Sequence, residues 1–251
     1  MGGIGVLARR QWVAWQRLLL WVSIGALGMI VLAVAGNWYQ RSRSAWERDW
    51  LAGIPCRPPC WEGITPGQTM ASEAERILRQ HFQVGKLNHF QFDTIPYCIV
   101  YWERWKNGYG GGNVTYHRDT SIVSLIGLSF PHDFTLAEVM QAYGQPSHVL
   151  ALAERNFERL NEINYSLVVV YEPQGFLLLW HWMYPQRPVI DQRLSFRTVA
   201  FFEPTVEGLE YALGNPVHAE LLVPWKGLVD FQEYCHPMGS TGPDPCKAEE
   251  Q

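Results

Sequence analysis

Charge is scarce in this chain. Only 18% of its 251 residues are Asp, Glu, Lys or Arg, against about 25% in ordinary soluble domains. The charge present is unevenly placed. Residues 1–50 carry six Arg (Arg9, Arg10, Arg17, Arg41, Arg43, Arg48) against Glu47 and Asp49, a net +4. The whole chain is −4, which leaves −8 for residues 51–251. A body of that sign repels phosphate backbones, so nucleic-acid binding is not expected.

The signatures of common chemistries are missing as well. None of the eight His has the His-Glu-x-x-His spacing of a metalloprotease. There is no Gly-x-Ser-x-Gly nucleophile elbow, and Gly108–Gly112 lacks the Gly-Lys-Ser/Thr ending of a phosphate loop. His117-Arg118-Asp119 matches three letters of a kinase catalytic loop, without a Gly-rich loop, a strand lysine or Asp-Phe-Gly. Cys56, Cys60, Cys235 and Cys246, with His236, have a Cys-x3-Cys and a distant Cys-x10-Cys spacing. Neither is the spacing of a zinc finger or ribbon. No metal and no cofactor is expected.

What the chain does have is one long uncharged run. Leu18–Ala35 holds 18 residues without a charge, about 27 Å of helix against a hydrocarbon thickness of ~30 Å. The expectation is a transmembrane helix over 18–36, a cytoplasmic end over 1–17 and a juxtamembrane stalk over 37–54. Trp12, Trp15, Trp21, Trp38, Trp46 and Trp50 lie at or beyond the ends of the run, as in an interfacial belt. Ala33-Val34-Ala35 also fits small-x-small signal cleavage, so a removed signal is the alternative. Three Arg precede the run and three follow it, and the positive-inside rule is silent. Cysteine decides the orientation. Cys56 and Cys60 lie in a Pro-rich turn, and Cys235 and Cys246 bracket a Gly/Pro-rich tail. Disulfides at both ends of a domain persist only in an oxidising compartment. The body is therefore expected outside the cell membrane, with the N-terminus inside. Cys98, in an apolar strand, is expected to be the unpaired thiol, although a Cys60–Cys98 pair is also open.

The body, 55–236, has alternating helix and strand signals. Ser72-Glu73-Ala74-Glu75 has the form of a capping box, and Ala74, Ile77, Leu78 and Phe82 share one helical face. Tyr97–Trp102, Val114–His117 and Ser121–Phe130 have strand composition. Thr135 and Glu138 form a second capping box, with Phe134 and Val139 as a hydrophobic staple and a stop at Gly144-Gln145-Pro146. Asn164–Tyr171 and Phe176–Tyr184 flank a Glu-Pro-Gln-Gly turn, and Leu194–Phe202 is another strand. Residues 204–216 then match 134–146 at an offset of 70: Thr205 on Thr135, Ala212 on Ala142, Gly214 on Gly144, Pro216 on Pro146. A pseudo-repeat explains this match. So does the common use of a Thr cap and a Gly-x-Pro stop. Glu154, Glu158 and Glu162 have the spacing of a solvated helical face. The tail, 237–251, lacks apolar bulk and is expected to be disordered.

Ile64-Thr65-Pro66-Gly67-Gln68-Thr69 with the helix after it, and Thr135–Glu138 with Tyr143-Gly144-Gln145-Pro146, resemble outer-membrane-assembly lipoproteins of the SmpA/OmlA type. Cys60–Gly67 is similar to the start of single-pass extracytoplasmic bacterial proteins. The resemblance covers about 30 residues in pieces. Gln68 stands where that family has Met, about 65 residues separate the two halves, and there is no lipobox. It implies a helix-on-sheet module that binds other proteins, and it carries over no catalytic residue.

The expected architecture is α+β, an antiparallel sheet with short helices on one face. The expected function is a membrane-anchored extracytoplasmic binding or scaffolding module without catalysis. The alternative is an envelope enzyme, hydrolase-like, with a non-standard site. Trp102, Trp105, Trp180 and Trp182 are the candidate binding residues, because strand aromatics can anchor a sugar or an envelope protein partner. Core packing is their other reading.

Overall fold

The computed structural model describes residues 28–29, 49–81, 83–91, 96–103, 110–155, 163–184, 187–214, 216–238 and 245–247, without the side chains of 155 and 181–184. The chain divides into two compact units, Met1–Trp46 and Glu47–Gln251. In the first unit only Gly28 and Met29 are described, and both are helical. The rest of the expected membrane span, most of the stalk, and Trp105 lie outside the described residues. Among the described residues no helix is long and apolar enough to cross a membrane.

The second unit is α+β, built on one ten-stranded sheet. In chain order it runs α1 (Ala71–Gln80), β1 (Asn88–Gln91), β2 (Tyr97–Trp102), β3 (Gly111–His117), β4 (Val123–Thr135), α2 (Leu136–Tyr143) and β5 (His148–Arg155). There follow β6 (Ile163–Tyr171), β7 (Phe176–Tyr184), β8 (Ser195–Phe202), α3 (Val206–Ala212), α4 (Pro216–Glu220), β9 (Val223–Pro224) and β10 (Cys235–Met238). The strand order is β1-β2-β3-β4-β8-β7-β6-β5-β10, with β9 also pairing β5. Every pairing is antiparallel except β5 with β10. The order is symmetric about the β4–β8 pair. On one side α1 leads into the meander β1–β4, and on the other α2 leads into β5–β8. The two similar segments 134–146 and 204–216 each follow the last strand of a meander.

Local grammar accounts for several element ends. Thr135 and Glu138 make the reciprocal capping box, the Thr135 N–H donating to the Glu138 carboxylate at 2.7 Å. Gly144 ends α2 at φ +83°. The hairpin β6–β7 turns through Glu172–Gln174 with Gly175 left-handed at φ +66°. Two expectations differ. Met70, not a Ser72-centred box, caps α1, because its start is set by Ala71 donating to Ser121 across the chain. Glu154 faces no helical neighbours: it lies in β5, opposite Asn164.

Side chains alternate across the sheet, so registry assigns each to a face. The first face holds Val100, Val114, Ile126, Leu128, Val199, Phe201, Phe176, Leu178 and Val169, all buried. Helix α1 packs here, with Glu75 at 3.5 Å from His89. So does α2, with Tyr143 edge-on to Phe176. The second face holds Leu150, Val168, Val170, Leu177, Ala200 and Phe202, and α3 covers these with Leu209 and Leu213. The helices are therefore on both faces, not one. Strands β6 and β7 are apolar at both parities, so each side must be covered from water.

Two disulfides are present, Cys56–Cys60 and Cys235–Cys246, and Cys98 is a buried free thiol. The second disulfide holds the chain end to the sheet edge. Pro237 and Met238 belong to β10, and Pro245 and Cys246 are buried, so the expected disordered tail is ordered at these positions. Trp50, expected in the belt and stalk, is 2% exposed and sits in the core of this unit.

Candidate functional site

Three turns far apart in sequence meet at one end of β2 and β3. The first is Thr65–Met70. Thr69 accepts the Thr65 N–H on its hydroxyl at 2.8 Å, and the turn is laced to β4 by Gly67 N–H to Val123 C=O (2.8 Å) and Val123 N–H to Thr69 C=O (2.9 Å). The second is the β3–β4 turn, His117–Ile122. Ser121 donates its N–H to the His117 carbonyl (2.7 Å), and His117 N–H donates to the Ile122 carbonyl (3.0 Å). The third is the entry to α3. The Thr205 hydroxyl accepts the Gly208 N–H at 3.0 Å. A Cβ at residue 208 would stand 2.1 Å from the Glu203 carbonyl oxygen, so the chain folds this tightly only over glycine.

Between them lies a cleft of about 310 Å³, walled by Tyr97, His117, Thr120, Glu203, Glu207 and Tyr211, with Gly67 at its base. Registry puts Tyr97, Thr115 and His117 on the second sheet face. Helix α3 brings Tyr211 onto them. The Tyr97 and Tyr211 rings are 4.3 Å apart at 37°, and His117 meets Tyr97 edge-on at 5.3 Å. Burial pushes the Tyr211 phenol up to about 12, with a hydrogen bond from Thr115 acting against that rise. Tyr211 is thus a neutral phenol at any physiological pH. The Asp119 N–H donates to His117 Nδ1 at 3.3 Å. The His117 proton of the neutral ring is then on Nε2.

The carboxylates of the cleft are set by backbone. Gly67 has φ +79°, and a Cβ there would stand 2.6 Å from the Glu203 carboxyl carbon and 2.7 Å from Oε2. The Glu203 side chain therefore lies where any other residue at 67 would intrude. Glu207 is in the first turn of α3, where it complements the helix dipole.

Other cavities are less suited to a ligand. The opening between Arg187–Asp191 and Leu228–Phe231 is larger, about 650 Å³, but its polar groups are engaged: Arg187 pairs with Asp230 and lies 5.9 Å from the Phe231 ring centre, and Asp191 accepts the Arg193 N–H at 2.8 Å. The apolar gap among Leu150, Leu152, Leu179, Leu213 and His218 has room for about one water, 20 Å³.

The tryptophans named from sequence do not gather here. Trp102 is 1% exposed and stacks on Trp61 at 6.2 Å, so it belongs to the core; strand alternation turns it to the fully buried face. Trp180 is half-buried opposite Leu167. Trp105 and the Trp182 side chain are outside the description. Sequence reading passed over Tyr97, Tyr211 and Glu203. The signal was present in Ile64–Thr69, His117–Thr120 and the Thr205 cap, but each reads as local turn grammar until the fold joins them. Among the described residues no three His, Cys, Asp or Glu side chains come close enough to hold a metal ion. The chain matches no known protein family, no curated protein and no solved structure.

Proposed function

We propose that this protein is a membrane-anchored extracytoplasmic binding module that holds its ligand in the Tyr97–His117–Tyr211 cleft and does no chemistry on it. One observation carries the reading: a cleft of about 310 Å³ with aromatic and polar walls, assembled from turns up to about 140 residues apart. Concave sites with few convergent polar groups are the usual form of a ligand site. The rival reading, an envelope hydrolase acting through a side-chain nucleophile, needs a hydroxyl or thiol hydrogen-bonded to its base. In this cleft His117 Nδ1 already accepts the Asp119 N–H, and no described hydroxyl or thiol is hydrogen-bonded to the ring. The single-pass span over 18–36, the bacterial envelope location and the pseudo-repeat behind the symmetric strand order belong to the same proposal. The uncharged run, the basic flank and the two disulfides support the membrane and compartment assignments.

A photo-reactive residue at Thr120, exposed on the cleft rim, tests the binding reading in cells carrying the full chain. Adducts are expected from this position and not from Arg76 on the outer side of α1. Equal or absent labelling at Thr120 overturns it. The compartment is tested by thiol counting on protein taken directly from its native membrane under denaturing, non-reducing conditions. One free thiol, Cys98, is expected. Five free thiols overturn the external placement.

A further inference from the structure

We propose that two copies of this chain pair edge to edge at β1, strand against strand, about a two-fold axis. The sheet runs from β1 to β10 and so has two edges. The chain closes one of them itself. β10 contains Pro237 and is held by Cys235–Cys246 to the turn Pro245–Lys247, whose Pro245 and Cys246 are buried. Among the described residues nothing pairs with the outer side of β1. His89, Phe90 and Gln91 are exposed there, Phe90 by 49%. The outward N–H and C=O groups of an edge strand are a template for another strand, and proteins usually blunt them with proline, lysine, a bulge or a cover. Asn88–Gln91 has no proline and no charge, and its register with β2 runs without a bulge. Lys86 stands two residues before the strand, not in it.

Charge selects the occupant. Residues 51–251 carry −8, so two such bodies approach at least cost where the surface is neutral. This edge is neutral. β1 is uncharged, and α1, whose Glu75 lies 3.5 Å from His89, balances Glu73 and Glu75 against Arg76 and Arg79. A two-fold axis normal to the sheet makes the pairing antiparallel and keeps every side chain on its own face. Centred on Phe90, the register sets each ring opposite its copy and His89 opposite the partner's Gln91. Centred on His89, it would oppose two imidazoles instead and leave the rings apart. The seam is short, under the ~1,200 Å² of a stable dimer, so the pair should dissociate on dilution.

Phe90→Cys in the full chain, mildly oxidised in its native membrane, tests the pairing. Directly opposite Cα atoms of an antiparallel pair lie about 4.5–5.5 Å apart, within disulfide range. A disulfide-linked dimer is expected from F90C. It is not expected from Gln192→Cys, in the exposed loop before β8, nor from the unaltered chain, whose free Cys98 is buried. Light scattering on the full chain in micelles should show a dimer at about 100 μM protein. Phe90→Asp should weaken it about tenfold, by removing the ring contact and opposing two carboxylates. Phe90 is on an exposed edge, so the far-ultraviolet circular dichroism of F90D should match that of the unaltered chain. Absence of the F90C dimer, or a monomer at that concentration, overturns the proposal. So does a dimer untouched by F90D, because its contact then lies elsewhere. F90C captured by a different protein in place of its own copy overturns the choice of occupant.

Discussion

Replacing Trp50 by Ala is expected to lower the unfolding free energy by about 3–5 kcal/mol. The ring is 2% exposed and lies inside an aromatic cage. It meets Phe134 at 5.4 Å, Phe176 at 5.6 Å and Phe201 at 5.9 Å, all edge-on, and stacks on Tyr143 at 5.9 Å. These partners come from β4, α2, β7 and β8, so one side chain joins both meanders. The Trp50 carbonyl also accepts the Tyr143 hydroxyl, whose burial pushes its pKa up to about 12 and keeps it a donor. Truncation leaves a void that four rigid rings cannot collapse into. Denaturant unfolding of the full chain in micelles, followed by near-ultraviolet circular dichroism, should show a lower midpoint with an unchanged slope. A loss under about 1 kcal/mol would mean that the cage closes without Trp50.

Trp50 also shows where sequence reading stops. Next to an uncharged run with five other tryptophans at or beyond its ends, it has the composition of an interfacial belt. Nothing local distinguishes belt from core, because the cage is made by residues about 85 to 150 positions away. The features that sequence did reveal are those whose partners are near in the chain. The Thr135–Glu138 box closes over three residues, the β6–β7 hairpin over four, and Cys56–Cys60 over four. The apolar runs of β6 and β7 signalled central strands, but which helices would cover which face depended on the order in which the meanders join. The cleft needed that order as well. Gly67 and Glu203 are unremarkable as letters; they matter because β4 and β8 are neighbours.

The glycines Gly111 and Gly112 give the second large effect. In sequence they end a turn, yet they open β3, and Gly112 stands opposite Trp102 in register. A Cβ at 112 would lie 2.4 and 2.7 Å from two carbons of the Trp102 ring and 2.7 Å from the Gly127 carbonyl oxygen. The ring cannot swing aside: it is 1% exposed and stacked on Trp61. The carbonyl belongs to β4 and is held in the sheet. Gly112→Ala should therefore cost near the upper end of the overpacking range of about 1–3 kcal/mol. Trp102→Phe removes the crowded ring edge and leaves a cavity of its own. Together the two changes should cost about 1–2 kcal/mol less than the sum of the singles, since the new methyl enters the space the smaller ring vacates. The rescue should be partial, because the Gly127 oxygen stays in place. Unfolding midpoints for the four chains of this cycle check it. Additivity within about 0.5 kcal/mol would show that the strain at 112 comes from the β4 backbone rather than from Trp102.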